Sequence, residues 1–293
     1  MDIVPLFCEI ADFCVSFEPV WRAQALSVKQ RQRPTTMHLS EVLTILVWYH
    51  RIGYRDFKRY YTEYVQKELR WAFPRQVSYT RFVELERDAL VPLCAYLRTR
   101  MGRCTGIAFI DSTPLAVCHN RRIPTHRVFA EQAGRSQNSM GWFYGFKLHL
   151  VINDEGELLN WCLTPGNTDD RVPVGKLAKG LWGKLVGDKG YVSQPLFETL
   201  LAQHLQFITK LRKNMRNQLM PWLDKILLRK RALIETVNDQ LKNISQVEHT
   251  RHRSFITCLV NLVAGLIAYT FREKKPSLGL RAHAKQAFPL AIF

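Results

Sequence analysis

Two aspartates stand where short apolar runs stop. Asp111 follows Gly106-Ile107-Ala108-Phe109-Ile110 and opens into Ser112-Thr113, and Asp188 follows Leu185-Val186-Gly187 and leads into Lys189-Gly190-Tyr191. A carboxylate at the C-terminal end of a buried strand lies where open α/β sheets gather their ligand sites, so the two acids converge if their strands are neighbours. The glycines beside Asp188 would let backbone or substrate come close. A third acid, Glu235, belongs to a strongly helical stretch from Leu223 to Asn243. Steps of four, three and four residues carry Arg231, Glu235, Asn238 and Lys242 along one face of that helix, with Leu227, Ile234, Val237 and Leu241 free to bury themselves on the other.

Carboxylates crowded together repel one another and partly protonate unless cations neutralise them, and an all-oxygen donor set favours Mg²⁺ or Mn²⁺. Two such ions, roughly 3.5 to 4 Å apart, can serve both the attacking and the leaving oxygen of an in-line displacement at phosphorus. Arg231 and Lys242 would then bind phosphate oxygens beside the metals, the first as a fork and the second as a point charge. Taken alone, a strand-end aspartate is more often a turn former or a helix cap than a catalyst. The ordered set of two strand-end aspartates and a helix bearing Arg231, Glu235 and Lys242 is the stronger signal.

The elements that must position these groups are legible as a change of pattern. The first hundred residues read as helices: one from Ser40 as cap to Gly53 as stop, a second over about Arg55 to Leu69, and a third whose stripe is Phe82, Leu85, Ala89, Leu93 and Leu97. The aromatic and basic residues of the second helix suit either helix-turn-helix docking on DNA or a solvated bundle face. From Cys104 onward strands take over: the Asp111 run, a hairpin of Gly145 to Ile152 and Glu157 to Leu163 around Asn153-Asp154-Glu155-Gly156, then Lys184 to Val186, a helix from Gln194 to Gln203, and Phe207 to Leu211. The polar, basic stretch from Asn120 to Asn138 reads as a surface loop. The fold class is α/β.

Composition narrows the partners. Of 293 residues, 47% are hydrophobic and 23% charged, which suits a globular protein and excludes a disordered or collagenous one. Lys plus Arg is 42 against 25 for Asp plus Glu, a formal charge of +17, which points to a polyanion. The charge-free run Phe255 to Phe271 is short for a membrane span, carries Thr257, Asn261 and Thr270, and is expected to be a buried helix. Seven scattered cysteines without a Cys-x-x-Cys pair, and an acidic rather than basic start, suggest a reducing cytoplasm. Cys104, Cys118, His119 and His126 fit no common zinc spacing. Neither a phosphate-binding Gly-rich loop nor a serine nucleophile elbow is found.

The phrases Phe109-Ile110-Asp111-Ser112-Thr113 and Gly187-Asp188-Lys189-Gly190-Tyr191, and the Arg231, Glu235, Lys242 spacing, resemble the DDE transposases of bacterial insertion sequences. Tyr144 to His149 and Thr164 to Asp170 are similar to further phrases of that group. The chain looks closest to its nine-eighty-two family, although Leu228 stands where the related pattern has a tyrosine. The resemblance implies a ribonuclease H-like catalytic domain with a central mixed sheet over 103–278, preceded by an all-helical, DNA-binding region over 1–102 and followed by a basic tail, 279–293. It implies that Asp111, Asp188 and Glu235 are the catalytic, metal-binding triad, served by two Mg²⁺ ions or by Mn²⁺. The substrate would be double-stranded DNA, the terminal inverted repeats and a target, held by a homodimer or larger assembly on the nucleoid. No membrane role is expected.

Lys189, Lys210, Arg212 and Lys213 join Arg231 and Lys242 as expected DNA contacts, and Lys147 is either another or a solvated lysine. His149 reads as a hydrogen-bonded strand residue. Asp169 and Asp170 read as a turn and a cap, with a supporting place near the metals left open. The rival to an enzyme is a transposase-derived DNA-binding protein that no longer cuts.

Overall fold

The computed structural model describes residues 2–25, 35–138, 141–210, 220–248 and 252–279. Arg212, Lys213 and nearly all of the expected basic tail lie outside these residues. The chain gathers into two compact units, one of Met1–Arg100 with Leu241–Phe271 and one of Met101–Gln240 with Arg272–Phe293.

The first unit opens with α1 (Val4–Ala25), which sequence patterning missed, and α2 (Leu39–Tyr49). The cap of α2 is His38 rather than Ser40: Glu41 Oε2 accepts the His38 backbone N–H at 2.6 Å. The expected second helix is α3 (Phe57–Arg59), started by Asp56 accepting the Arg59 N–H at 2.7 Å and continued as a π-helix over Tyr60–Glu68. The expected third helix is two, α4 (Tyr79–Asp88) and α5 (Leu90–Thr99). Pro92 explains the break, since it has no N–H for the Asp88 carbonyl and its ring crowds that oxygen.

The second unit is built on one six-stranded mixed sheet: β1 (Ile107–Cys118), β2 (Gly134–Asn138), β3 (Gly141–Asn153), β4 (Leu158–Pro165), β5 (Gly183–Gly187) and β6 (Leu205–Thr209). β1, β5 and β6 run parallel, while β3 is antiparallel to β1, β2 and β4. Since β1 occupies one edge of β3 over Tyr144 to Asn153, β2 and β4 must follow each other along the opposite edge. Gly145 is required where β1 and β3 meet, because a Cβ there would lie 2.0 Å from the Leu115 carbonyl oxygen. The central mixed sheet expected of this stretch is present. The expected surface loop over 120–138 holds a 3₁₀ turn at Asn120–Thr125 and strand β2.

Two helices, α6 (Val174–Leu177) and α7 (Gln194–Leu201), lie on one face of the sheet. There Ala108, Ile110, Leu185, Val174, Leu177 and Leu200 form a core with Tyr191 and Phe207. Each fully buried Val, Leu or Ile among them contributes about 1.5–3 kcal/mol. The stretch read as a single helix from Leu223 to Asn243 is α8 (Trp222–Arg229) and α9 (Ala232–Asn243), with Lys230 and Arg231 between them. α8 contacts β5 and β6. It is pinned by the Lys184 ammonium, which lies 2.6 Å from the buried Asp224 carboxylate and 2.9 Å from Gln206.

The apolar run becomes α10 (Phe255–Thr270), capped by Ser254 accepting the Thr257 N–H at 3.2 Å, and packs on α2, α4 and α5. Residues 241–271, expected within the catalytic stretch, therefore belong to the helical unit. Every residue of α10 from Val260 to Thr270 is buried, which accounts for the apolarity of the run. No helix of the described residues is long and apolar enough to cross a membrane.

Candidate active site

Asp111 does not end its strand. β1 continues to Cys118 against β3, but its pairing with β5 stops at Phe109 and Val186. Asp111 and Asp188 each lie two residues beyond that last pair, on neighbouring parallel strands, and Asp188 keeps an extended backbone (φ −79°, ψ 167°). Side chains alternate faces along a strand, so both carboxylates project from the same face, at the C-terminal edge of the parallel part of the sheet. Gly187 makes this approach possible, since a Cβ there would stand 2.9 Å from the Phe207 ring and 3.1 Å from Ile110. Gly190 has open space around it, so closeness of packing does not require a glycine there.

The face bearing Asp111 meets the α8–α9 junction. Asn238 Nδ2 donates to Asp111 Oδ2 at 3.0 Å, and Arg231 Nη1 stands 3.5 Å from Oδ1. The second guanidinium nitrogen of Arg231 donates to Glu235, so one arginine bridges two of the three expected ligands. Arg231 and Asp111 are 15% and 18% exposed while Glu235 is 52% exposed, which makes Glu235 the solvent-side member. Burial pushes the Asp111 carboxyl up to about 6. Arg231 and the Ser112 backbone N–H oppose that rise, and the charges of Glu235 and Asp188 add to it.

Among the described residues, no three His, Cys, Asp or Glu side chains are gathered closely enough to hold a metal ion. The expected triad is thus arranged as two strand-end aspartates sharing a face, with Glu235 joined to Asp111 through Arg231. The donor chemistry still suits a hard divalent cation. The carboxylates supply oxygens alone, Arg231 stands as a positive charge between two of them, and Asn238 Oδ1 is buried without a hydrogen-bond partner among the described residues. Asp111, Asp188 and Glu235 would hold such an ion.

The other expected contacts divide. Lys189 is exposed on the 3₁₀ turn next to Asp188, and Lys210 is exposed just past β6. Lys147 is half-buried and committed, its Nζ 2.9 Å from the Thr168 carbonyl and 3.0 Å from Asp170. It pairs in register with Pro114, whose face is that of Ser112 rather than of Asp111. His149, beside Ser112, is buried and bonded to Thr164 at 2.8 Å. Burial holds its pKa down near 4, with Lys147 adding to this and Asp170 opposing it. Asp170 is thereby the anchor of Lys147. Lys242 belongs to the helical unit, where its ammonium lies 3.3 Å from Glu248.

Sequence reasoning placed Asn238 on the right helical face but gave it no task. It missed Tyr191, whose phenol is raised well above its usual range by burial and then by Asp111, Asp170 and Asp188. The phrase Gly187-Asp188-Lys189-Gly190-Tyr191 already held that residue.

Comparison with solved structures finds the piggyBac transposase synaptic complex with hairpin DNA at 14% identity and a TM-score of 0.47, over 85% of this chain and 69% of that one. The Mos1 strand transfer complex is found at 10% identity and a TM-score of 0.23, over 84% of this chain and 81% of that one. No curated protein gives a significant match. A family model described as transposase DDE domain matches residues 101–255. That span is just over half of the 293 residues and contains Asp111, Asp188, Arg231 and Glu235. The chain belongs to the transposase DDE domain family.

Proposed function

We propose that this protein is the transposase of a bacterial insertion sequence of the nine-eighty-two type, cutting DNA at the element's terminal inverted repeats and joining the freed 3′-hydroxyl to target DNA. One observation carries the reading: Asp111 and Asp188 leave adjacent parallel strands at the same level and on the same face, toward which Arg231 also brings Glu235. Divalent ions, Mg²⁺ by preference, would when bound activate the attacking oxygen and stabilise the departing one.

The chain's own groups do the rest. Asn238 fixes one Asp111 oxygen, and the other, which faces Arg231, would be open to a cation once that arginine turns to phosphate. Arg231 is placed to exchange its carboxylate partners for the scissile phosphate, whose two non-bridging oxygens suit its fork. Lys189 and Lys210 would take neighbouring phosphates along the strand. Two element ends held together call for a dimer or larger assembly.

Strand cleavage of end-containing duplex in Mg²⁺ is the test, with binding followed in parallel by gel shift. Asp111→Asn, Asp188→Asn and Glu235→Gln should each lower cleavage by at least ~1000-fold while leaving end binding within a few-fold of the parent. Cleavage near the parental rate in any of the three removes that residue from the site. A parent that binds ends and never cuts them would instead be the DNA-binding descendant.

A further inference from the structure

The helical unit contains a cavity of about 220 Å³ that the DDE chemistry does not use. Its lining changes character with depth. Arg55, Lys58, Arg87 and Arg253 are exposed and, with Asp56 as the acid among them, form a mainly cationic rim; the 16-residue α10 starts at this cavity, with Ser254 and Thr257 in its lining. A helix start adds its own partial positive charge. The floor is buried and polar. Asn261 is 9% exposed, and its Nδ2 has no hydrogen-bond partner among the described residues. His252 Nε2 is likewise buried and unpartnered, and Glu86 is buried beside them. Tyr49, Phe57 and Tyr79 supply aromatic surface between rim and floor.

A buried amide donor without an acceptor costs roughly 1–3 kcal/mol, so the floor is built for something the described residues do not provide. An anion alone would satisfy the rim and leave the floor unmet, and an apolar group would satisfy neither. We propose that this cavity binds one nucleotide, with its phosphate at the rim of Arg55, Lys58, Arg87 and Arg253 and its base among Tyr79, Asn261, His252 and Glu86. Burial raises the Glu86 carboxyl to about 8 against the opposing charge of Arg87, so near neutral pH it can both donate to and accept from a base edge. The nucleotide is either free or an unpaired residue of DNA, in which case the helical unit senses a distorted end.

Titration calorimetry on the full chain tests this with adenosine 5′-monophosphate, adenosine and inorganic phosphate. The monophosphate should bind about tenfold or more tightly than either fragment. Asn261→Leu should weaken the monophosphate and adenosine alike, and Arg253→Ala, an exposed change that spares the fold, should weaken the monophosphate and not adenosine. A duplex with one bulged adenine, compared with its fully paired parent, separates the sources. Preference for the bulge that Asn261→Leu abolishes assigns the site to DNA, and no preference assigns it to the free nucleotide. Monophosphate binding no tighter than that of phosphate or adenosine, or unchanged in Arg253→Ala, overturns the proposal. Asp111→Asn should bind the monophosphate as the parent does, so the outcome is separable from that of the cleavage assay.

Discussion

Asp111 is held between opposing influences, burial on one side and the Arg231 and Asn238 donors on the other. A site organised this way gains stability from an added cation. Mg²⁺ at ten times its dissociation constant should stabilise the fold by about 1.4 kcal/mol, read as a rise in melting temperature that Asp111→Asn erases. Glu86 makes a second prediction at this scale. Its folded pKa, about 8, lies above the model-compound value of 4.5, so the folded state holds the proton longer than the unfolded one. Stability should therefore fall as pH rises through the range from about 4.5 to 8, by on the order of 5 kcal/mol once the titration is complete. Glu86→Gln, which cannot ionise, should flatten this slope in denaturant titrations across that window. An equal slope in parent and variant would place the penalty elsewhere.

At the scale of elements, the α8–α9 junction depends on an ion pair that no local pattern shows. Lys184 lies on β5 and Asp224 on α8, with Asp224 only 3% exposed. Breaking a buried pair by removing one partner strands a charge, at about 3–5 kcal/mol. Lys184→Met should cost about 3 kcal/mol in urea unfolding, and it should reduce cleavage more than end binding because α8 leads directly into Arg231 and Glu235. Most strands and the helical character around Glu235 were legible because period-two and period-four patterns are local. Strand β2, read as part of a surface loop, and the extension of β1 to Cys118 were not. Pro114 argues against a strand, and it is tolerated because that part of β1 is paired with β3 and lies past the end of the β5 pairing. Convergence of Asp111 with Asp188 was legible as a possibility that needed neighbouring strands. The bond from Asn238 to Asp111 spans 127 residues of sequence and depends on tertiary packing that a local reading does not contain.

For the whole molecule, the charge of +17 sets the terms on which DNA is met. Each phosphate neutralised on duplex DNA adds about −0.9 to the slope of log affinity against log salt. Lys189→Ala and Lys210→Ala should each make that slope shallower by about 1. Lys147→Ala should leave it unchanged, because Asp170 and Thr168 already engage that ammonium. Gel-shift titrations over a salt series distinguish these outcomes, and an altered slope for Lys147→Ala would return it to the DNA surface.

The helical unit is discontinuous in the chain: α1 to α5 come before the sheet, and α10 comes after it. A ribosome making this protein emits α2, α4 and α5 before α10, the helix on which all three pack, has been translated. At typical elongation rates of ~5–20 residues per second, the intervening 101–240 segment delays that partner by roughly 7 to 28 s. Through that interval the faces of α2, α4 and α5 that α10 will cover stay uncovered on the nascent chain, exposed to chaperones and to aggregation, while the catalytic sheet emerges ahead of the unit that began first.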